Sequence, residues 1–249
     1  MSETVAVLSD VHGVLPALEA VLAEPDVRAA DAVVLTGDLA AGPLPDRTLD
    51  ALTALGERAV WVGGNADREL VEYRRGARDG IPDPIAPWAA EQLRAEQVEL
   101  LAALPASATL PVGGLGQVYF CHATPRADDE TVLVDATAGR WAEALGELGP
   151  EVETVVLGHT HMPFARLTHG RLVVNPGSVG MPYGRPGAHW ALLGPGGAAL
   201  RRTAYDYGAA CARIAAESGY AGAAAWADEF VWARNSAESA LTAFGGRPE

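Results

Sequence analysis

Three short apolar runs within the first 65 residues each stop on a polar side chain, and a stretch with helical spacing follows the first two. Residues 5–8 (Val-Ala-Val-Leu) stop at Ser9-Asp10, residues 32–36 stop at Gly37-Asp38, and residues 60–62 stop at Gly63-Gly64-Asn65. Continuously apolar β-like runs, as opposed to alternating ones, belong to strands covered on both faces. The intervening stretches put Leu15, Leu18 and Leu22, then Leu49, Leu52 and Leu55, on single helical faces, and Pro16 suits a first helical turn. Such a chain folds as a sheet with helices laid over it.

The pattern changes along the chain. Residues 88–104 read as one helix that stops at Pro105. Gly113-Gly114 separates β-like runs at 110–112 and 118–121, residues 124–130 form a polar loop, and 137–148 read as helix. Residues 154–157 form a strand ending in Gly158-His159. The runs 164–167 and 171–174 then flank His169-Gly170 as a hairpin. Another pair, 190–193 and 200–205, flanks a Gly-rich turn at 194–197. This second half is richer in antiparallel strands, so two sheets packed together and flanked by helices accommodate both halves. The alanine-rich residues 207–244 predict two short helices broken near Ser218-Gly219, with Trp226, Phe230 and Val231 on an apolar face of the second. We therefore expect one domain over 1–206 and a helical extension over 207–249 packed on it. That face could alternatively serve a homodimer or a flap over the site.

The 249 residues carry a net charge of −14, which argues against the basic face that a protein gripping nucleic acid along its backbone requires. No apolar run reaches the roughly 18 residues of a membrane span, and the first four residues bring no basic region ahead of their apolar stretch. The expectation is a cytoplasmic protein without a membrane partner. The two cysteines, Cys121 and Cys211, suit small buried hydrophobes better than a disulfide framework.

In α/β sheets, ligand sites gather at the carboxyl ends of strands. Asp10 with His12, Asp38, Asn65, His122, and His159 with His161 all stand at such ends. Four of the six histidines fall in these segments, and only His169 and His189 lie outside them. Carboxylate oxygens mixed with imidazole nitrogens suit divalent Mn, Fe, Ni or Zn. Seven donors are too many for one tetrahedral ion, and a mononuclear zinc hydrolase would leave Asp38 or Asn65 without a role. They suffice for two ions that share a carboxylate. Two ions ~4 Å apart can hold the attacking and the leaving oxygen of an in-line displacement at phosphorus. Two divalent charges also outweigh the two aspartates and a hydroxide, leaving a site that attracts an anionic phosphate.

The series Ser9-Asp10-Val11-His12-Gly13, Gly37-Asp38, Gly64-Asn65, His122 and Gly158-His159-Thr160-His161 resembles the calcineurin-like metallophosphoesterase superfamily. It is most similar to a small bacterial branch that includes phosphodiesterases. Asn175-Pro176-Gly177-Ser178 resembles the same branch. The resemblance implies a four-layer αββα sandwich of two mixed β-sheets flanked by helices, with C-terminal helices added. It implies a binuclear enzyme hydrolysing a phosphodiester or small nucleotide-like phosphoester by attack of a metal-bridging hydroxide. Asp10, His12 and His161 would hold one metal, Asn65, His122 and His159 the other, and Asp38 would bridge them.

One position departs from the family pattern. Many members carry a histidine directly after the motif asparagine, where this chain has Ala66 followed by Asp67. Ala66 cannot donate a proton, which favours substrates with a stable leaving group. Asp67 would orient a ligand histidine or cap the helix that follows. Asn175 and Ser178, through the backbone N–H groups of 175–178, are candidate phosphate contacts or else a tight turn. Arg126, four residues after His122, is a candidate bidentate phosphate ligand. Two competing readings remain. The first is a non-catalytic scaffold on this fold, which the intact donor set argues against. The second is a nuclease, which the acidic charge argues against, with Arg74-Arg75 and Arg201-Arg202 as the only local basic pairs.

Overall fold

The structure is a computed structural model that describes residues 2–245. Val, Leu and Ala dominate β1 (Val5–Leu8), β2 (Ala32–Thr36) and β3 (Ala59–Val62), and every residue of β1 and β2 is buried. These three strands run parallel, with Val5 opposite Ala32, Leu8 opposite Leu35 and Thr36 opposite Val62. Their carboxyl ends therefore align along one edge. The connections carry α1 (Leu15–Ala23), α2 (Pro25–Ala29) and α3 (Pro45–Thr53). After β3 come α4 (Asn65–Arg74), α5 (Ala86–Gln92) and α6 (Ala95–Ala102).

A second sheet begins with the hairpin β4 (Ser107–Val112) and β5 (Gly116–Cys121), followed by α7 (Ala138–Leu145) and β6 (Val152–Val156). The hairpin β7 (Phe164–Thr168) and β8 (Arg171–Asn175) completes it in the order β4-β5-β6-β8-β7. Here β5, β6 and β8 are parallel, so their carboxyl ends too lie side by side. The chain then returns to the first sheet as β9 (Ala188–Gly194) and β10 (Gly197–Thr203), giving the order β10-β9-β1-β2-β3. It ends with α8 (Tyr207–Glu217), α9 (Ala223–Phe230) and α10 (Ala237–Gly245).

Strand alternation builds the layers. Val5 and Val7 of β1 join Val62, Phe120, Val156 and Val174 in a core between the sheets. Ala6 and Leu8 point the other way, into a core with Leu18, Leu49 and Ile214 of the helices. On the far sheet, Val155 and Val173 pack outward on Trp141 and Leu145 of α7. The result is helix, sheet, sheet, helix: the four-layer αββα sandwich of two mixed five-stranded sheets.

Two helical expectations need correction. Residues 88–104 are not one helix, because Leu93 leaves helical backbone (φ −69°, ψ 132°) and buries its side chain. The Arg94 N–H, freed by that break, is recaptured by Gln97 Oε1 at 3.1 Å as α6 begins. The region 207–244 holds three helices, not two. Ala233 adopts a left-handed φ of 47° after α9, which ends that helix before α10 starts. Ala210, Ile214, Trp226, Ala227 and Val231 all join the helix-side core of the first sheet. Among the described residues, no helix is long and apolar enough to cross a membrane.

Candidate metal centre

Backbone shape comes first at this site. Asp10, His12, Asp38, His159 and His161 all take left-handed φ, at 54°, 47°, 55°, 65° and 57°. Non-glycine residues rarely sit there, and such strain clusters at functional sites. The loops are laced together by main-chain bonds: Asp10 N–H to Gly37 O and His12 N–H to Asp38 O, both 3.0 Å. Gly64 permits this closeness, since a Cβ there would stand 2.5 Å from Asp38 N. Gly37, at φ +92°, likewise faces Gly64 and the His122 ring with no room for a side chain.

The turns bring two donor sets together. One is Asp10, His12 and His161, and the other is Asp38, His122 and His159. Within each set the donor atoms lie within 4.8 Å of one another. Asp38 touches both, its Oδ2 standing 3.3 Å from His122 Nε2 and 3.8 Å from His12 Nε2. Asp10 Oδ1 is 3.2 Å from His161 Nε2, and its Oδ2 accepts from the His159 backbone N–H at 3.2 Å. Asn65 opens α4 beside this group, and the Ala66 N–H donates to Asp38 Oδ1 at 2.8 Å.

Three of the imidazoles are fixed by carbonyl oxygens, which can only accept. His122 Nδ1 donates to Thr36 O at 2.6 Å, His161 Nδ1 to Met181 O at 2.9 Å, and His12 Nδ1 to Ala41 O at 3.2 Å. Each therefore turns Nε2 inward, the nitrogen that can ligate a metal once it is unprotonated. The inward atoms are short of partners. His12 Nε2 and His161 Nε2 face each other at 3.2 Å. Asp10 Oδ1, Asn65 Oδ1 and His122 Nε2 are buried without a hydrogen-bond donor or acceptor. Buried polar atoms are almost always satisfied. A cluster of inward lone pairs from oxygen and nitrogen fits cations, and the donor set suits divalent ones.

The protein's own charges split each set. Burial opposes charge on His122, but the Asp38 carboxylate outweighs it and pushes His122 up to about 10. Burial, then the His122 charge, push His159 down to about 4. His161 rises because Asp10 outweighs burial, whereas burial and His161 lower His12. Both aspartates lie below the usual carboxylate range despite burial, Asp10 held by His161 and Asp38 by His122. Each set thus pairs a carboxylate with one imidazole of raised basicity and one of lowered basicity.

Several expected contacts take other roles. Asp67 faces main chain, not an imidazole: its carboxylate accepts from the N–H groups of Asp38 (2.8 Å), Leu39 (2.9 Å) and Gly64 (3.1 Å). It therefore caps α4 and clamps the Asp38 turn. Burial and the nearby Asp38 charge push it up to about 7. Asn175 is buried and donates to Gly158 O (2.6 Å) and Thr160 Oγ1 (3.1 Å) while accepting from Gly177 N–H (2.8 Å). Ser178 Oγ donates to Asp10 O and accepts from Met181 N–H, both at 2.7 Å. The N–H of Val179 is likewise taken, by Ser9 O. The side chains of this segment hold the ligand turns, and the Gly177 N–H is spent on Asn175 Oδ1. Arg126 pairs with Glu130, which Thr124 and Arg140 also bind, so its guanidinium is committed within its own loop. The sequence reading missed Tyr183 and Phe244, whose rings lie against His161 and His159. Phe244 lies at the end of the alanine-rich 207–244 stretch, for which a flap over the site is one of the sequence readings.

The model of the calcineurin-like phosphoesterase superfamily domain matches residues 4–196. An uncharacterised protein of Methanocaldococcus jannaschii is 26% identical over 204 residues, covering 72% of this chain and 76% of that protein. Two crystal structures share the fold. A hypothetical protein from Pyrococcus horikoshii OT3 has a TM-score of 0.77 at 21% identity, over 94% of this chain and 99% of that one. A metallophosphoesterase from Sphaerobacter thermophilus has 0.69 at 24%, over 92% and 99%.

Proposed function

Because the chain belongs to the calcineurin-like phosphoesterase superfamily, we propose that it hydrolyses a small phosphodiester with two divalent cations. The observation that carries this reading is the pair of donor sets meeting at Asp38, with Asp10 Oδ1, Asn65 Oδ1 and His122 Nε2 buried and unpartnered around it. Asp10, His12 and His161 would hold one cation, and Asn65, His122 and His159 the other, with Asp38 common to both. When bound, such cations polarise phosphoryl oxygens and acidify an attacking water. Manganese is the ion we would load first, since mixed carboxylate and imidazole donors suit it.

The residues around the centre favour a diester over a monoester. A doubly charged monoester calls for cationic side chains beyond the metals. Arg126 is committed to Glu130, and Arg68, on α4 with Asn65, holds Asp128 bidentately at 2.7 and 2.9 Å. Asp38 would fix the geometry of both halves, and His122 and Asn65 would complete the half nearest α4. Asp67, Asn175 and Ser178 would act by position, through the backbone they hold.

The test is turnover of a chromogenic phosphodiester by the Mn²⁺-loaded protein beside its Asp38→Ala variant. We expect about two ions per wild-type chain after gel filtration and a loss of at least ~10²-fold in rate for the variant, the scale of losing one transition-state donor. Equal rates for the two proteins, or fewer than one ion per wild-type chain, would reject the assignment.

A further inference from the structure

Two aromatic rings border the centre, one on each donor set. The Tyr183 ring lies 6.0 Å from the His161 imidazole, tilted by 43°, and the Phe244 ring lies 5.8 Å from the His159 imidazole, edge-on at 64°. The rings also meet each other, at 6.3 Å and 84°. Tyr183 stands in the loop between β8 and β9, and Phe244 in the last turn of α10. Separate contacts join these segments. Gly184 N–H donates to Asn235 O at 2.8 Å, and Ala237 at the start of α10 stands against Gly184. Ala240 is fully buried and anchors α10 midway. Both rings are only half-buried, so each keeps open surface beside the histidines.

A purely structural pair of rings would be expected to face the core. These instead border one histidine of each donor set. An aromatic corner of this kind offers a ring face to a flat aromatic group, through stacking that tolerates many ring types. A second observation calls for the same group. Ala66, directly after Asn65, has no proton to give, and its backbone N–H is already spent on Asp38 Oδ1 at 2.8 Å. That gap favours a departing oxygen that is stable as an anion, as a phenol-type oxygen is and an alkoxide is not.

We propose that this site selects aryl phosphoesters, with Tyr183 and Phe244 forming the aromatic wall that holds the departing ring. The inference rests on the phosphoesterase reading above. In the reaction, a water oxygen bonds to phosphorus and the bond from phosphorus to the aryl oxygen breaks. The electron pair leaves as phenolate, and the proton of the water passes to solvent.

The test compares methyl phenyl phosphate with methyl hexafluoroisopropyl phosphate, whose departing alcohols are close in acidity although only one is aromatic. With the Mn²⁺-loaded full chain, the phenyl ester should have the larger kcat/KM by about 5-fold or more, the lower end of what base-on-ring stacking contributes. Phe244→Ala and Tyr183→Ala should each shrink that ratio toward one. Phe244→Leu keeps apolar bulk and should shrink it equally, whereas Phe244→Trp should restore it. As a readout without turnover, phenylphosphonate should bind wild type more tightly than cyclohexylphosphonate, and Phe244→Leu should lose the difference. A wild-type ratio near one, or a Leu variant that matches wild type in both readouts, overturns the aryl proposal alone, provided both esters are cleaved and Asp38→Ala is inactive. Cleavage of neither ester by wild type overturns the phosphoesterase reading and takes this proposal with it.

Discussion

Replacing Asn175 by alanine should loosen the centre without removing any of its ligands. The Asn175 side chain bonds Gly158 O, Thr160 Oγ1 and Gly177 N–H at 2.6, 3.1 and 2.8 Å and is 1% exposed. Truncation orphans the buried Gly177 N–H and leaves Gly158 O with only its bond from the Thr160 N–H at 2.7 Å. An orphaned buried group costs about 1–3 kcal/mol and a lost hydrogen bond about 0.5–1.5 kcal/mol, so truncation costs about 1.5–4.5 kcal/mol. That is a large share of the roughly 5–15 kcal/mol that stabilises a domain. The effect should reach the metal donors, because the turn these bonds hold carries His159 at φ 65° and His161 at φ 57°. Each such conformation stores about 1–3 kcal/mol and persists only while its surroundings over-determine it. With the clamp gone the turn relaxes, and each donor set loses the placement of one imidazole. Mn²⁺ affinity should fall about 10- to 100-fold, the range for removing a group that supports a metal ligand. The assay is a urea unfolding midpoint on metal-free protein together with calorimetric titration of Mn²⁺. A phosphate-contacting asparagine would leave both unchanged and raise only KM. Wild-type values in both measurements would refute the clamp, and a lowered midpoint with unaltered Mn²⁺ affinity would refute the coupling of turn to ligand.

Two further predictions concern protons. His122 is pushed up to about 10 by Asp38 against burial, and His161 is raised by Asp10 against burial, yet nitrogen must be unprotonated to hold a metal. Loading Mn²⁺ at neutral pH should therefore release protons, and affinity should strengthen as pH rises; calorimetry in buffers of different ionisation enthalpy measures this, and zero release would contradict a charged His122. Glu130 is pulled down from 4.5 to about 2, against burial, by Arg126, Thr124 and Arg140. A carboxyl with a depressed folded pKa contributes stability above its unfolded value and loses it as pH falls toward the folded one. Glu130→Gln should thus flatten the dependence of stability on pH between about 4.5 and 2, and an unchanged slope in acid unfolding would show that this loop contributes nothing.

The parts legible in the sequence share a cause. Asp10, Asp38 and Asn65 follow apolar runs directly, and parallel pairing of β1, β2 and β3 aligns the ends of those runs without side-chain detail. His122 and His159 follow β5 and β6 in the same way on the second sheet. What stayed hidden depends on partners far away in the chain. Ser178 reaches Asp10 across 168 positions and Asp67 reaches Asp38 across 29, so a polar residue beside a motif could equally face substrate or backbone. Arg126 looked free because its partner Glu130 reads only as part of a polar loop. The break at Leu93 was hidden for a different reason. Leu93 keeps its apolar position while leaving helical backbone, so the 88–104 pattern shows no gap.

The strain at the centre also says why the sandwich must be so fully clamped. Among the described residues, five of the seven non-glycine residues with left-handed φ are donors in the two sets. Their conformations are unfavourable one by one, and their inward atoms gain little from one another: two imidazole Nε2 atoms face at 3.2 Å, and Asp10 Oδ1 and His122 Nε2 lack partners. The compensation comes from outside, through Asp67, Asn175, Ser178 and the carbonyls of Thr36, Ala41 and Met181. Such a scaffold holds its donors in place before any cation arrives, so binding need not order the loops. It also follows that cations should stabilise the fold by an amount that grows with the logarithm of their concentration above Kd, because a ligand that binds only the folded chain shifts unfolding by mass action. A centre built merely of convenient turns would show neither the inward lone pairs nor that dependence.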